Sequence, residues 1–123
     1  MIGEDRLKEI FRLQEEFMEL LKLNDRLPEW PIDLTTKFGQ RQIKEGIFNM
    51  IEELAEASFT LKNRAHRVTD ASDVDIDHYR EELADALAYF IKVCIMSGIS
   101  ADDLFVEYRK KNDIVKERLS RGY

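Results

Sequence analysis

A single cysteine, Cys94, occurs in the 123 residues, so no disulfide can close within the chain. Phe90, Ile91 and Ile95 surround it in sequence, and it reads as a packing residue rather than a reactive thiol. Proline is almost as scarce: Pro28 and Pro31 stand in one segment and nowhere else. No apolar run approaches the ~20 residues that span a bilayer. The first residues are charged rather than signal-like. The expectation is a soluble, cytoplasmic protein with no membrane partner. Cations are also in short supply. Lys and Arg number 19 against 25 Asp and Glu, a net charge of −6, which excludes the surface as a whole as a nucleic-acid platform.

Several site chemistries are missing too. There is no Gly-rich phosphate loop and no Cys/His zinc set. The two histidines, His66 and His78, do not stand three residues after a glutamate, so the Glu-x-x-His pairs of a di-iron bundle are absent. Asp73, Asp75 and Asp77 alternate like the start of a calcium loop. The sixth position is then His78 instead of Gly and the twelfth Ala84 instead of Glu, so the run reads as a solvated loop and helix cap.

What remains is helical periodicity. No stretch reads as a strand, a repeat or a linker, and residues 1–123 are expected to form one all-α domain, a four-helix bundle-like arrangement. The first helix is expected from about Glu4 to Leu23, with Leu7, Ile10, Phe11, Phe17, Leu20 and Leu21 apolar and Asn24 as a left-handed cap. A loop follows from Asp25 to Thr36, punctuated by Pro28, Trp30 and Pro31. The second helix is expected from about Lys37 to Asn63, striped by Ile43, Ile47, Met50, Ile51, Leu54, Ser58 and Leu61. A polar loop with Asp70, Asp73, Asp75 and Asp77 leads to a third helix from about Asp77 to Ser97. Its main stripe is Tyr79, Leu83, Ala86, Leu87, Phe90, Ile91 and Cys94, and Gly98 stops it. Ser100 caps a fourth helix running to about Leu119, with Asp102 and Asp103 favourable in its first turn.

Two acid groups stand on consecutive helices: Glu52, Glu53 and Glu56 on the second, Glu81, Glu82 and Asp85 on the third. At ~100° per residue, Glu53 lies about 110° and Glu56 about 170° from the centre of their apolar stripe, and Glu82 and Asp85 repeat those offsets. Acids there are ordinarily a solvated face. The same side, however, also carries Phe48, Ala57 and Phe59 on one helix and Ala84, Ala88, Tyr89 and Met96 on the other. A helix apolar on two sides is buried on two sides. Carboxylates gathered in a partly covered cleft repel and are costly to desolvate, and cations relieve both costs. An oxygen-only donor set suits Mg²⁺.

Glu52-Glu53-Leu54-Ala55-Glu56 followed by Glu82-Leu83-Ala84-Asp85 resembles the paired motif of the all-α nucleoside triphosphate pyrophosphohydrolases, which include MazG-like proteins and dimeric dUTPases. Tyr108-Arg109-Lys110-Lys111-Asn112, then Arg118 and Gly122-Tyr123, is similar to the C-terminal pattern of the dUTPase-like branch, and Leu13-Gln14 to a Gln that meets the base there. Two positions depart from that branch: Met18 and Val115 stand where Asn is common. The departures put strict dUTP recognition in doubt and leave the metal chemistry untouched.

The resemblance implies hydrolysis of a (deoxy)nucleoside triphosphate, dUTP or another pyrimidine deoxynucleotide first, to the monophosphate and pyrophosphate. It implies Mg²⁺, with Mn²⁺ as a substitute, on Glu53, Glu56, Glu82 and Asp85. Glu52 and Glu53 are the catalytic candidates. Lys110, Lys111, Asn112 and Arg118 are candidates for phosphate and Gln14 for the base, each against the plainer reading of a solvated helix surface. The cations of Lys62-Asn63-Arg64-Ala65-His66-Arg67 read first as a helix-end cluster, and Trp30 as packing of the Pro-rich loop. A homodimer or homotetramer is expected. The competing functional reading is a non-catalytic helical oligomerisation or nucleotide-sensing module.

Overall fold

The computed structural model describes residues 5–61 and 74–122. The second helix ends at Phe59 with Thr60 as its cap, short of the expected Asn63, and the cations from Lys62 to Arg67, Asp70, Asp73 and Tyr123 lie outside the described residues. Four helices follow one another and no strand occurs among the described residues: α1 (Arg6–Leu23), α2 (Lys37–Phe59), α3 (Ile76–Met96) and α4 (Ala101–Ser120). The architecture is all-α. No single helix among the described residues is long and apolar enough to cross a membrane.

Capping fixes each start. The side chains of Asp5, Thr36, Asp75 and Ser100 accept the backbone N–H three residues on, satisfying a donor the helix leaves orphaned. Ser100 and Asp103 do so reciprocally, a complete capping box. Asp75 is therefore a helix cap, as its alternating run suggested. The end of α1 differs by one residue from expectation. Asn24 is not left-handed (φ −100°); Asp25 is (φ 55°). The Asp25 N–H then donates to Lys22 O and the Arg26 N–H to Leu21 O, which closes the two-bond motif that caps a helix end. Gly98 (φ 77°) ends α3.

The core gathers at one end of the molecule. Phe11 and Met18 of α1 meet Ile91, Cys94, Ile95 and Met96 of α3 and Ala101 of α4. Trp30 and Ile32 of the loop pack against this cluster, and Ile32 N–H donates to Met96 O at 2.8 Å. Trp30 is thus a packing residue with Lys22 over its ring. Cys94 is buried, and burial pushes its thiol above the ordinary range, as an inert packing cysteine requires. Met18 is fully buried, so the chain uses that position for packing.

Helix α3 is central: α2 packs along one side of it and α1 along another, while α4 turns away at 106° and touches α1 near its own start, where Lys8 meets Asp102 at 3.6 Å. The α2–α3 seam overturns one expectation. On α2 it is lined by buried Ala57 with Gly46 and Glu53 half-buried, whereas Gly39 is buried against the preceding loop at Ile32 and Asp33. Opposite stand Glu82, Ala86 and Val93, and a Cβ on Gly46 would reach Val93 Cγ2 at 3.2 Å. Small residues let the helices approach, so the acid-bearing face is the intramolecular seam. The bulky stripe expected to be core is instead exposed at Ile51 (50%), Leu54 (47%), Leu83 (40%) and Leu87 (43%). On α1, Phe17 and Leu20 are likewise exposed.

Candidate functional site

The antiparallel α2–α3 seam brings three of the four expected ligands together. One carboxylate oxygen each from Glu53, Glu82 and Asp85 lies within 4.8 Å of the other two. One turn on from Glu53, Glu56 stands beside it. Burial first, then the charges of Glu56, Asp85 and Glu82, push the Glu53 carboxyl above its ordinary range. Glu52 is exposed and outside the trio.

Glu82 is the most constrained member. His78, one turn earlier on α3, holds Glu82 Oε1 through Nε2 at 3.1 Å. The other oxygen, Oε2, is buried and has no hydrogen-bond partner among the described residues. A buried carboxylate oxygen without a donor costs free energy that a ligand must offset. The neighbouring groups Glu53 and Asp85 are acids, so a cation would satisfy this oxygen and relieve their repulsion together. Three or four carboxylates and no sulfur or imidazole ligand make a hard donor set, and Mg²⁺ or Mn²⁺ fits it. His78, bonded to Glu82 Oε1, stands where an outer partner would orient such a ligand.

Sequence reasoning set His78 aside with the di-iron pattern, although its spacing of four from Glu82 was a legible signal. Lys92 was also missed, because it stands inside the apolar run Phe90-Ile91-Lys92-Val93-Cys94.

Next to the acids, α1 and α3 enclose a cavity of about 220 Å³ lined by Gln14, Phe17, Leu21, Asp85, Ala88, Tyr89 and Lys92. Gln14 of α1 and Asp85 of α3, one a base candidate and the other a ligand candidate, therefore line one cavity. The α4 candidates do not join them within one chain. Lys110 pairs with Glu107 at 3.3 Å, Lys111 and Arg118 are exposed and Asn112 is half-buried, and none lines this cavity.

No family model matches the chain, and no curated protein or solved structure matches it either.

Metal binding to such a trio should show as stability. A ligand at a hundredfold excess over its Kd adds ~2.7 kcal/mol, and for a domain of about this size ~1 kcal/mol moves Tm by roughly 4 °C. Saturating Mg²⁺ is therefore expected to raise Tm by on the order of 10 °C. An unchanged melting curve would return the acids to the class of solvated clusters.

Proposed function

We propose that this chain is a Mg²⁺-dependent nucleoside triphosphate pyrophosphohydrolase acting in the cytoplasm. It converts a (deoxy)nucleoside triphosphate, with pyrimidine deoxynucleotides such as dUTP the first class to try, and water to the monophosphate and pyrophosphate. The observation that carries the reading is the orphaned Oε2 of Glu82 inside an acid trio whose Asp85 also lines the Gln14 cavity. The motif resemblance agrees with it.

In this reading Glu53, Glu56, Glu82 and Asp85 hold the metal. When bound, Mg²⁺ supplies charge neutralisation for the triphosphate and acidifies a water. The chain's own residues do the rest. His78 fixes Glu82, the seam holds Glu53 and Asp85 at a set spacing, and positioning of this kind is a large part of phosphoryl-transfer catalysis. Glu52, exposed beside the ligands, orients the attacking water and takes its proton. Gln14 meets the base.

We further propose a homo-oligomer, a dimer or a tetramer, formed over the exposed apolar stripe of α2 and α3. Large contiguous apolar faces on a folded chain mark contact surfaces. Such an assembly carries Lys110, Lys111, Asn112 and Arg118 of one chain to phosphates held on another.

The test of the activity is a substrate panel: purified protein, Mg²⁺, each common NTP and dNTP and dUTP, with pyrophosphate and orthophosphate detected separately. Pyrophosphate from one or a few substrates is the expected result. No release from any of them by folded protein would favour the nucleotide-sensing or oligomerisation module.

A further inference from the structure

We infer that Lys92 is a specificity-determining residue at the base end of this site, selecting a nucleobase edge that presents a carbonyl over one that presents an exocyclic amine. The nature of the ligand rests on the pyrophosphohydrolase reading; the role of Lys92 within the cavity rests on its position.

Lys92 follows Asp85 by seven residues on α3, two turns and about 10 Å along the axis. Both side chains line the same cavity. With a triphosphate anchored at the acid end, a span on the order of a nucleoside length separates it from Lys92. Between them the lining is Phe17 and Gln14 of α1 and Tyr89 of α3, flat apolar surface and one amide, which suits a base better than a phosphate.

The ammonium itself is unusual. It is half-buried, stands 5.7 Å from the Tyr89 ring centroid and makes no ion pair with any described residue. Glu45, across a second cavity that Lys92 also borders, supports its charge from a distance, while burial pulls its pKa below the ordinary lysine range. A cation kept partly desolvated without a close counter-ion is costly unless a ligand oxygen completes it.

The selectivity follows from donor inventory. Gln14 offers both donors and an acceptor, so its amide accommodates either kind of edge by turning over. Lys92 offers three donors and no acceptor. Facing the 4-position, it is satisfied by a carbonyl, whereas a 4-amine sets donor against donor and leaves only the neighbouring N3 for it to reach.

The pair dUTP and dCTP differs at this edge, 4-oxo with N3–H against 4-amino with bare N3. Wild type is expected to prefer dUTP in kcat/KM. Lys92→Met, of similar length and without donors, should lower kcat/KM for dUTP by roughly 10- to 100-fold, mainly through KM, and that for dCTP much less. Lys92→Arg should keep the preference. Calorimetric binding of dUMP and dCMP to the same three proteins supplies a second readout without turnover. A preference of wild type for the 4-amino base, an equal loss on both bases, or no change in Lys92→Met would each overturn the inference. Wild type that hydrolyses no triphosphate sinks the pyrophosphohydrolase reading alone, and the monophosphate selectivities then decide for Lys92. Absence of binding to both monophosphates in that case overturns it too.

Discussion

Glu53→Gln is expected to lower pyrophosphate release by on the order of 1,000-fold or more while leaving the helical circular dichroism intact. The amide has the shape of the carboxyl and loses its charge, so the seam keeps its packing and the trio loses a ligand oxygen that carries charge. Asp85→Asn tests the same site from α3. Full turnover in both variants would remove the site assignment. The metal-free protein offers a second sign. In the folded chain, burial and the charges of Glu56, Asp85 and Glu82 raise the Glu53 pKa above its ordinary 4.5. A carboxyl with a raised folded pKa binds its proton more tightly folded than unfolded. Its contribution therefore favours the fold at low pH and is lost as pH rises from about 4.5 through the folded value. Above that window wild type bears the full repulsion, and the neutral amide of Glu53→Gln has none to bear. The metal-free variant is thus expected to melt no lower than wild type at neutral pH, and its Tm should no longer respond to Mg²⁺ as wild type does. A variant that melts well below wild type without metal would mean that Glu53 is a structural residue of the seam.

The helices and their caps were legible because they depend on local chemistry. Asp75 and Ser100 cap whatever packs beyond them, and Gly98 ends α3 for want of a Cβ. The acid motif was legible for a related reason. Residues three or four apart share a helix face, and Glu53, Glu82 and Asp85 meet once α2 and α3 pack with those faces inward. Which faces turn inward was legible only in part. The expected stripe is buried at Ala86, Ile91 and Cys94 but exposed at Ile51, Leu54, Leu83 and Leu87, and on α2 the seam runs instead along Gly46 and Ala57, whose lack of bulk permits the close approach. Small residues add nothing to an apolar count, so they were outvoted. Lys92 was hidden in the opposite way. A cation in an apolar run looks like an interruption, and only the packing of α1 beside α3 shows that it borders a cavity with Gln14 and Asp85.

The exposed stripe leads to the other large effect. Wild type is expected to scatter light as a dimer or a tetramer of the 14.5 kDa chain. Leu54→Glu with Leu87→Glu should dissociate it, since two buried carboxylates per chain without partners cost far more than a surface charge. Leu54 and Leu87 are 47% and 43% exposed in the single chain, so their replacement leaves the α1–α3 core untouched. The stripe lies roughly 110° around α2 from Glu53, and the acid trio belongs to the intramolecular seam. Metal binding and assembly are therefore separable. The dissociated variant should keep its Mg²⁺-dependent rise in Tm and lose turnover, because Lys110, Lys111 and Arg118 no longer reach phosphates on a neighbouring chain. Wild type that scatters as a monomer would refute the assembly. A monomeric variant with undiminished turnover would show instead that one chain completes the site, and that the α4 cations are ordinary helix surface.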